Sequence, residues 1–381
     1  MKKFFFLLLA ITANAGTMLA SVKIGDLCYD LNETELTAEV TYETEMYAED
    51  NYLGLTKVNI PSVVNHDGKA YRVTSIGYAA FAVCKNLTSV TIPNSVTIIG
   101  VDGFRACENL VKVTMSYGVK SINDMAFAFC TKLTSIAIPT SVINITSEVF
   151  YGCENIAPVY NSKVFIYMPQ TYSGRYTLTE GITDIIDKAF KDCVELTHVT
   201  IPNSVVTIGK LAFSGCTKLV SVTMGNHVSS IGEMAFSDCS GLTAITLPNS
   251  VKSIEPMAFE SCTNLNTVVI SNQVETISYK AFAYCENLRS VTVPYGVVTI
   301  GDNAFDGCAN LTSISLPSSV TTIDGYAFYD CANLTSLIIP KSVTSIANEH
   351  PFSGCESLTL QLPDWFRGNV NVKDCREVIY Y

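Results

Sequence analysis

The most regular reactive side chains in this sequence are cysteines. The chain holds 14 of them. Twelve recur every 23 residues, apart from one gap of 40 after Cys153 and one of 24 before Cys355. The twelve are Cys84, Cys107, Cys130, Cys153, Cys193, Cys216, Cys239, Cys262, Cys285, Cys308, Cys331 and Cys355. Thiols can form disulfides, bind zinc or act as nucleophiles, so the spacing must distinguish between these chemistries.

This spacing favours neither zinc binding nor catalysis. Zinc sites use paired ligands such as C-x-x-C, whereas these cysteines stand alone and no histidine accompanies them. Disulfides are compatible with an exported chain, and stacking would bring equivalent Cα atoms about 5 Å apart. Parallel stacking points the side chains in one direction, which fits the disulfide dihedral poorly. We therefore predict a buried ladder of reduced thiols and no cofactor.

Groups suited to acid–base or nucleophilic catalysis are scattered. The four histidines occupy unrelated positions in the repeat: His66, His198, His227 and His350. Serine and threonine recur with the repeat and do not stand alone as a catalytic nucleophile would. A glycosidase-type carboxylate pair would have to come from Glu180 with Asp184 or Asp187, which lie on an ordinary repeat edge. We expect no enzyme activity.

The gap of 40 residues contains an insertion near residues 157–178 that is rich in aromatic side chains. Its five rings are Tyr160, Phe165, Tyr167, Tyr172 and Tyr176. Insertions in repeat proteins often lie on the binding face, and exposed aromatics are common interface anchors. Alternatively, the rings pack an inserted hairpin onto the rest of the fold. Both interpretations stay open, and packing is the more common outcome.

The element that positions all these residues is the repeat itself, C-x-x-L-x-x-V-x-I-P-x-x-V-x-x-I-x-x-x-A-F-x-x-C. A Phe lies three residues before each of the twelve cysteines. In one copy, Leu87–Ile92 predicts a short strand that Pro93 ends, and Val96–Ile99 predicts a second apolar edge. Ala-Phe-x-x-Cys is interpreted as a single helical turn. Fixed self-similarity at this period is typical of a solenoid.

Alternate residues of the predicted strand point away from the core and carry mostly hydroxyl groups. Five of them are candidate binding residues: His198, Ser221, Thr223, Ser290 and Thr292. A solvated sheet surface explains such residues without any ligand. Solenoids also use extended faces of this kind to bind macromolecules. The two interpretations are compatible.

Composition narrows the possible functions. The chain has 24 Lys and Arg against 35 Asp and Glu, a net charge of −11, and charged residues make up 15% of the total. Hydrophobic residues are 48%, which is typical of a folded chain with a large core and not of a disordered one. A net-acidic chain with no basic run lacks the charge that nucleic-acid binding requires.

The start of the chain resembles a secretory signal peptide. Lys2 and Lys3 precede an apolar run from Phe4 to Ile11, and cleavage after Ala15 or Ala20 would remove residues 1–20 or most of them. The apolar run is too short to span a bilayer, so we expect no transmembrane segment in the mature chain. We predict an N-terminal β cap at 21–75, a solenoid at 76–360 and a C-terminal cap at 361–381.

The segment LTSVTIPNSV at Leu87–Val96, with the following A-F-x-x-C, resembles the BspA-like class of leucine-rich repeat proteins. The resemblance covers residues 22–363, although the usual Asn after the strand is replaced by Pro93 and Val96. It implies an α/β leucine-rich-repeat solenoid: a right-handed coil of about twelve 23-residue repeats with a parallel β-sheet on one face.

The same resemblance implies a secreted or cell-surface bacterial protein that acts in adhesion. Its partner would be a protein or glycan ligand on host matrix or on neighbouring cells, with no catalytic residues. Two alternatives stay open. One is a carbohydrate-binding or carbohydrate-active protein that uses the aromatic insertion, and the other is a structural component of a surface layer.

Overall fold

Each repeat forms one turn of a β-solenoid, and about twelve turns are divided between two compact units. The computed structural model describes residues 21–45, 47–48, 51–146 and 148–381. The first unit ends at Cys153 and the second spans Glu154–Tyr381. The predicted signal peptide, residues 1–20, lies outside the described residues.

The first unit contains eleven strands in an eight-stranded and a three-stranded sheet. The strands are β1 (Val22–Ile24), β2 (Leu27–Asn32), β3 (Thr37–Thr41), β4 (Lys57–Asn59), β5 (Val63–His66), β6 (Lys69–Ile76), β7 (Ser89–Ile92), β8 (Ile98–Ile99), β9 (Lys112–Met115), β10 (Ser121–Ile122) and β11 (Asn144–Ile145). The larger sheet has the order β1-β2-β3-β6-β8-β10-β11, with β5 paired to β6, and the smaller has the order β4-β7-β9.

The N-terminal strands supply the first partner for the repeats that follow. β5 and β6 form a hairpin whose turn residues, Asp67 and Gly68, both have positive φ as a tight two-residue turn requires. β6 then pairs in parallel with β8, and β4 pairs in parallel with β7. The first repeat therefore presents no unpaired strand to solvent on the N-terminal side.

The second unit contains twenty strands and one turn of 3₁₀ helix, Asp364–Phe366. The strands are β12 (Val159–Tyr160), β13 (Val164–Tyr167), β14 (Gly174–Thr177), β15 (Asp184–Ile185), β16 (Leu196–Thr200), β17 (Thr207–Ile208), β18 (Ser221–Thr223), β19 (Ser230–Ile231), β20 (Ala244–Thr246), β21 (Ser253–Ile254), β22 (Thr267–Val269), β23 (Thr276–Ile277), β24 (Ser290–Thr292), β25 (Thr299–Ile300), β26 (Ser313–Ser315), β27 (Thr322–Ile323), β28 (Ser336–Ile338), β29 (Ser345–Ile346), β30 (Thr359–Leu362) and β31 (Glu377–Tyr380).

Each unit has two parallel ladders where the sequence predicted one. The front ladder joins strands from the L-x-x-V-x-I segments, in the order β4-β7-β9 in the first unit and β14-β16-β18-β20-β22-β24-β26-β28-β30-β31 in the second. The back ladder joins the V-x-x-I segments, through β6-β8-β10-β11 in the first unit and β13-β15-β17-β19-β21-β23-β25-β27-β29 in the second. The V-x-x-I segment, which the sequence predicted only as an apolar edge, therefore also forms a hydrogen-bonded ladder.

The A-F-x-x-C segment is not helical. In all twelve repeats the residues two before and two after the Phe have positive φ; around Phe213 these are Leu211 at +56° and Gly215 at +75°. The backbone N–H groups of Leu211, Phe213 and Gly215 donate to carbonyls of the next coil, at N···O distances of 2.9, 2.7 and 2.9 Å. Intervening N–H groups bond within the turn, as Ser214 does to Leu211 at 3.2 Å.

This alternation sends every second N–H group to a neighbouring coil, whereas an α-helix keeps its hydrogen bonds within one segment. Among the described residues the only helix is the 3₁₀ turn Asp364–Phe366. The α/β class predicted from the sequence is therefore wrong, and the fold is a β-solenoid with a third ladder of turns.

The core of each unit is a column of stacked phenylalanines. In the first unit, Phe81 to Phe150 stack with ring centroids 5.0–5.7 Å apart and planes within 9°. In the second, Phe165 to Phe352 stack at 4.5–6.0 Å with planes within 17°. All these rings are buried. The period of the column matches the coil spacing, so one apolar column runs through all turns of a unit.

The cysteine column lies beside the Phe column and hydrogen-bonds to it. In ten of the twelve repeats the thiol donates to the carbonyl of the Phe in the preceding coil; Cys239 Sγ lies 3.1 Å from Phe213 O. The first cysteine of each unit bonds instead to carbonyls of the preceding segment: Cys84 to Asn51, and Cys193 to Met168 and Pro169.

All fourteen cysteines are free thiols, and all but Cys375 are buried, as the predicted ladder requires. Burial raises the pKa of most of these thiols, and that of Cys193 to about 12. A raised pKa keeps the proton on sulfur, where it serves the bond to the Phe carbonyl, and suppresses the reactive thiolate.

Candidate binding surface

The front ladder of the second unit presents a long, regular surface. Each short strand places one apolar residue inward between two outward ones; in β18, Val222 is buried between Ser221 and Thr223. Because the strands are in register, the outward residues form two columns, one through Ser221 and one through Thr223. We call these two columns the outer sheet face.

The five candidate residues on the predicted strands all lie on the outer sheet face. His198, Ser221 and Ser290 belong to one column, and Thr223 and Thr292 to the other. His198 and Ser221 are half-buried and the other three are exposed. His198 Nδ1 forms a hydrogen bond of 3.0 Å with Thr197 Oγ1.

Among the apolar residues that interrupt the hydroxyl columns, two large ones are at least half exposed, and the sequence reasoning missed them. Val269 and Ile338 occupy positions where other strands place Ser or Thr, and each is about half exposed (50% and 51%). The signal in the sequence is the departure from the repeat at these two positions. Exposed apolar groups within a polar, low-charge face are suited to contact another macromolecule.

A shallow depression of about 360 Å³ lies on the same face. It forms where the small side chain of Ala244 stands between Ser221 and Thr267 in their column. Its lining is Val222, Thr223, Met224, Asn226, Ala244, Thr246 and Pro248. The depression combines hydroxyl, amide and apolar groups.

The aromatic insertion serves mainly to start the second unit. β13 takes the first position beside β15 in the back ladder, and β14 the first position beside β16 in the front ladder. Phe165 is 1% exposed and stacks on Phe190 with centroids 4.5 Å apart, so it begins the Phe column. The insertion is thus a terminal partial coil of the second unit.

The five rings of the insertion therefore differ in what they can contact. Phe165 and Tyr167 are buried, so they cannot anchor a ligand at the surface. Tyr172 and Tyr176 are half-buried with ring centroids 5.5 Å apart, and burial raises the pKa of Tyr176 to about 12. Tyr160 is 43% exposed and is the member of the set best placed to meet a partner.

The carboxylates near the insertion are engaged in the ladders. Asp184 accepts hydrogen bonds from the hydroxyls of Thr183 and Thr207, and Asp187 accepts one of 2.8 Å from the backbone N–H of Lys210.

Within the described part of the chain, no group of three or more His, Cys, Asp or Glu side chains is arranged to hold a metal ion. The same residues include no helix long and apolar enough to cross a bilayer.

Comparison with solved structures gives similar repeat proteins. A leucine-rich repeat protein from Bacteroides ovatus is 27% identical, with 94% of this chain and 99% of that one covered and a TM-score of 0.55. One from Eubacterium ventriosum is 23% identical, covering 88% and 95%, with a TM-score of 0.51. A leucine-rich cell surface protein from Faecalibacterium prausnitzii is 27% identical over 96% of both chains, with a TM-score of 0.44.

None of the curated proteins matches this chain significantly. The family model described as BspA type leucine-rich repeat region matches in six copies, over residues 47–170, 183–299 and 275–364. These matches cover most of the chain and indicate no enzyme family. With the repeat, the parallel ladders and the buried Phe and Cys columns already described, they show that the chain belongs to the BspA-type leucine-rich repeat family.

Proposed function

We propose that this protein is an exported, non-enzymatic binding module that attaches to a protein ligand through the outer sheet face of the second unit. The observation that carries the proposal is the face itself: two in-register columns of mostly uncharged polar residues, with Val269 and Ile338 exposed among them. The backbone of every strand but the two terminal ones is fixed by hydrogen bonds on both sides, so little conformational entropy is lost on binding.

The shape of the face favours a macromolecule over a small ligand. Small-molecule sites enclose most of the ligand in a cleft. The ten strands of this ladder extend over about 40 Å at the usual strand spacing, and the relief on them is shallow. A standard protein–protein interface buries about 800 Å² on each partner, which a face of this length can supply.

Low charge on the face has a functional consequence. Charged groups must be desolvated when an interface forms, whereas Ser and Thr hydroxyls exchange bonds to water for bonds to a partner at low cost. The ladder carries Arg175 and Glu377 only near its two ends. Affinity for the ligand should therefore depend weakly on salt concentration.

Export is the second part of the proposal and rests on the leader-like sequence of residues 1–20, with removal after Ala15 or Ala20. A surface location would place the outer sheet face where matrix proteins and the surfaces of neighbouring cells are accessible. Mass spectrometry of the N-terminus of the protein recovered from cells or medium tests this part directly.

Matched pairs of variants test the binding face. Thr223→Arg with Thr292→Arg places two cations on the outer sheet face, and Thr276→Arg with Ser345→Arg places two on exposed positions of the back ladder. Mature protein is screened against immobilised matrix proteins and a glycan array. We expect a protein ligand whose binding weakens by about tenfold or more in the first pair only. Equal binding by both pairs, or ligands found only among glycans, would contradict the proposal.

A further inference from the structure

The turn side of the first unit carries a cluster that the outer sheet face does not explain. We call it the arginine cluster; its members are Tyr47, Tyr78, Asp102, Arg105, Phe129 and Tyr151. The guanidinium carbon of Arg105 lies 5.7 Å from the ring centroid of Tyr47 and 5.5 Å from that of Phe129. Both distances are within the range of cation–π attraction, so two aromatic rings hold the guanidinium.

The repeat leaves room for this arrangement. Arg105 comes directly after Phe104 of its repeat. The equivalent residues in the adjacent coils are Ala82 and Ala128, both buried. Asp102 and Phe129 occupy positive-φ positions of their turns, which fixes the direction of both side chains. The cluster is thus assembled from four successive coils and Tyr47, all within the first unit.

A chain of hydroxyl groups orients the carboxylate. Tyr47 donates its hydroxyl hydrogen to Asp102 Oδ2, and Tyr78 donates to the Tyr47 oxygen at 2.8 Å. Burial and the bond to Asp102 raise the pKa of Tyr47, so its hydroxyl stays protonated and remains a donor. The hydroxyl of Tyr78, on a ring that is 47% exposed, keeps lone pairs available to accept from outside.

The charged pair at the centre is incompletely hydrogen-bonded. Asp102 is only 8% exposed, and its Oδ1 has no hydrogen-bond partner among the described residues. Arg105 Nε also lacks one, and the two atoms are 3.7 Å apart, too far for a hydrogen bond. Buried polar atoms in native proteins nearly always have partners, so an unpaired carboxylate oxygen beside an unpaired guanidinium nitrogen calls for a functional explanation.

The other edge of the guanidinium is available to a ligand. The Arg105 side chain is 36% exposed. Tyr78 and Tyr151 stand at the two ends of the row, packed edge-on against Tyr47 and Phe129 and partly exposed. The surface therefore offers a partly exposed guanidinium between Tyr47 and Phe129, with the rings of Tyr78 and Tyr151 next to these two.

We propose that the arginine cluster is a second binding site that takes a carboxylate-bearing sugar. The guanidinium edge matches a carboxylate in two parallel hydrogen bonds. Tyrosine rings present an apolar face and a polar rim, which suits the alternating C–H and O–H groups of a pyranose. The partly exposed rings of Tyr78 and Tyr151 supply flat faces for the C–H groups of a sugar ring, so we favour the sugar over a peptide C-terminus.

The test uses the full-length mature protein and defined probes. Sialyllactose and a galacturonate trimer carry the carboxylate; lactose and the methyl ester of the trimer are their neutral counterparts. Binding is measured by titration calorimetry and by NMR of the sugar. We expect the wild type to prefer the acidic probes by about tenfold or more, and Arg105→Gln to lose that preference. Arg105→Lys should lose most of it too, because an ammonium cannot form the fork.

Controls separate binding from folding. Arg105→Gln leaves a buried carboxylate without its cation, so Asp102→Asn with Arg105→Gln is the matched variant that keeps the pair uncharged. Lys112→Gln removes an exposed cation elsewhere in the same unit and should leave binding unchanged. The proposal is overturned if the folded wild type binds acidic and neutral sugars equally or not at all, or if a peptide with a free C-terminal carboxylate binds at Arg105 in their place.

Discussion

In every turn of the solenoid the interior beside the Phe column holds the same residue types, whereas the outer sheet face varies from strand to strand. The twelve Phe and twelve Cys of the repeat are all 2% exposed or less. One column of the outer face instead runs Ala244, Thr267, Ser290 and Ser313. Interior groups must fit the coils above and below, so their size is fixed. Outward groups meet solvent, so the neighbouring coils do not fix their size.

A second comparison is between two clusters of charged and aromatic residues on the turn side, one in each unit. In the second unit Lys280 Nζ lies 3.5 Å from Glu260 Oε1, with the rings of Tyr279 and Tyr284 at 5.6 and 5.8 Å. Burial is the largest single influence on the pKa of Lys280 and lowers it, but Glu260, Tyr279 and Tyr284 together raise it by more, so the ammonium is stabilised within the chain. The arginine cluster has a cation, a carboxylate and aromatic rings as well, yet Asp102 Oδ1 and Arg105 Nε have no hydrogen-bond partner among the described residues. Similar turns can therefore close a charge cluster or leave it open.

The largest expected difference between interior and surface is in alkaline solution. The ordinary thiol pKa is about 9 and burial raises it in the fold, to about 12 for Cys193 and Cys355. Below pH 9 both states keep the proton, so the free energy of unfolding is unaffected by these groups. Above pH 9 the unfolded chain loses protons first, so stability should fall with rising pH, by up to about 1.4 kcal/mol per pH unit for each thiol whose pKa is raised in the fold. The summed loss should unfold the chain before pH 12.

Urea denaturation at a series of pH values measures this fall. Cys239→Ala with Cys262→Ala should reduce the slope, because two buried thiols are gone, whereas Thr246→Ala on the outer sheet face should not change it. A stability that is flat between pH 9 and 11 would contradict the account of the cysteine column.

A single break in the Phe column should be the most damaging substitution. Phe236 is fully buried, with ring centroids 5.0 and 5.3 Å from those of Phe213 and Phe259. Phe236→Ala should cost about 3–5 kcal/mol, because the coils on either side cannot collapse into the cavity. The outer-face variant Thr246→Ala should stay within about 0.5 kcal/mol of wild type. Equal losses in urea denaturation would remove the distinction between the two regions.

Loss of one thiol–carbonyl bond should have an intermediate effect. Cys239→Ala removes the donor to Phe213 O and leaves a small cavity, for an expected loss of about 1–3 kcal/mol. Cys375→Ala is the matched control, since this thiol is only partly buried and lies outside the repeat lattice. Thermal unfolding of both variants compares them, and a control as destabilised as Cys239→Ala would argue against the column.

The smallest of these effects tests the fit between successive turns. Gly215 has φ of +75°, and a Cβ there would collide with the Asp192 carboxylate of the previous coil. Gly215→Ala should cost about 1–2 kcal/mol. Gly25 also has positive φ, but nothing lies within 4 Å of its Cβ position, so Gly25→Ala reports the backbone cost alone. Asp192→Gly combined with Gly215→Ala should recover the difference, and no recovery would place the cost in the backbone.

Much of the fold could be predicted because the same sequence pattern occurs in twelve repeats. The Leu87–Ile92 strand, the stop at Pro93 and the hairpin at Asp67-Gly68 all follow from local residue preferences. The prediction of a helical turn was wrong for two reasons. Apolar residues at Phe213 and Cys216 share a face in a helix as well as in this turn, and a non-glycine residue such as Leu211 gives no sign in the sequence that its φ is positive.

The site was harder to predict for a different reason. Outward positions such as Thr223 follow from strand alternation, so the sequence could place them on one face. Phe165 is buried because the insertion forms the terminal partial coil of the second unit and stacks on the coil of Phe190. No local sequence pattern indicates this. The arginine cluster joins Tyr47 to Asp102 across 55 residues, and its only sign is a charged residue at Arg105 where neighbouring repeats have alanine.

The central claim is that reduced thiols bonded to backbone carbonyls, in ten of twelve repeats those of Phe, form part of the dry interior of every turn. The most direct measurement is a thiol titration of the purified mature protein without reductant, before and after unfolding in guanidinium. We predict that only Cys375 reacts readily in the native state and that all fourteen thiols react after unfolding. Substantially fewer than fourteen after unfolding would show that the column is oxidised and would contradict the account.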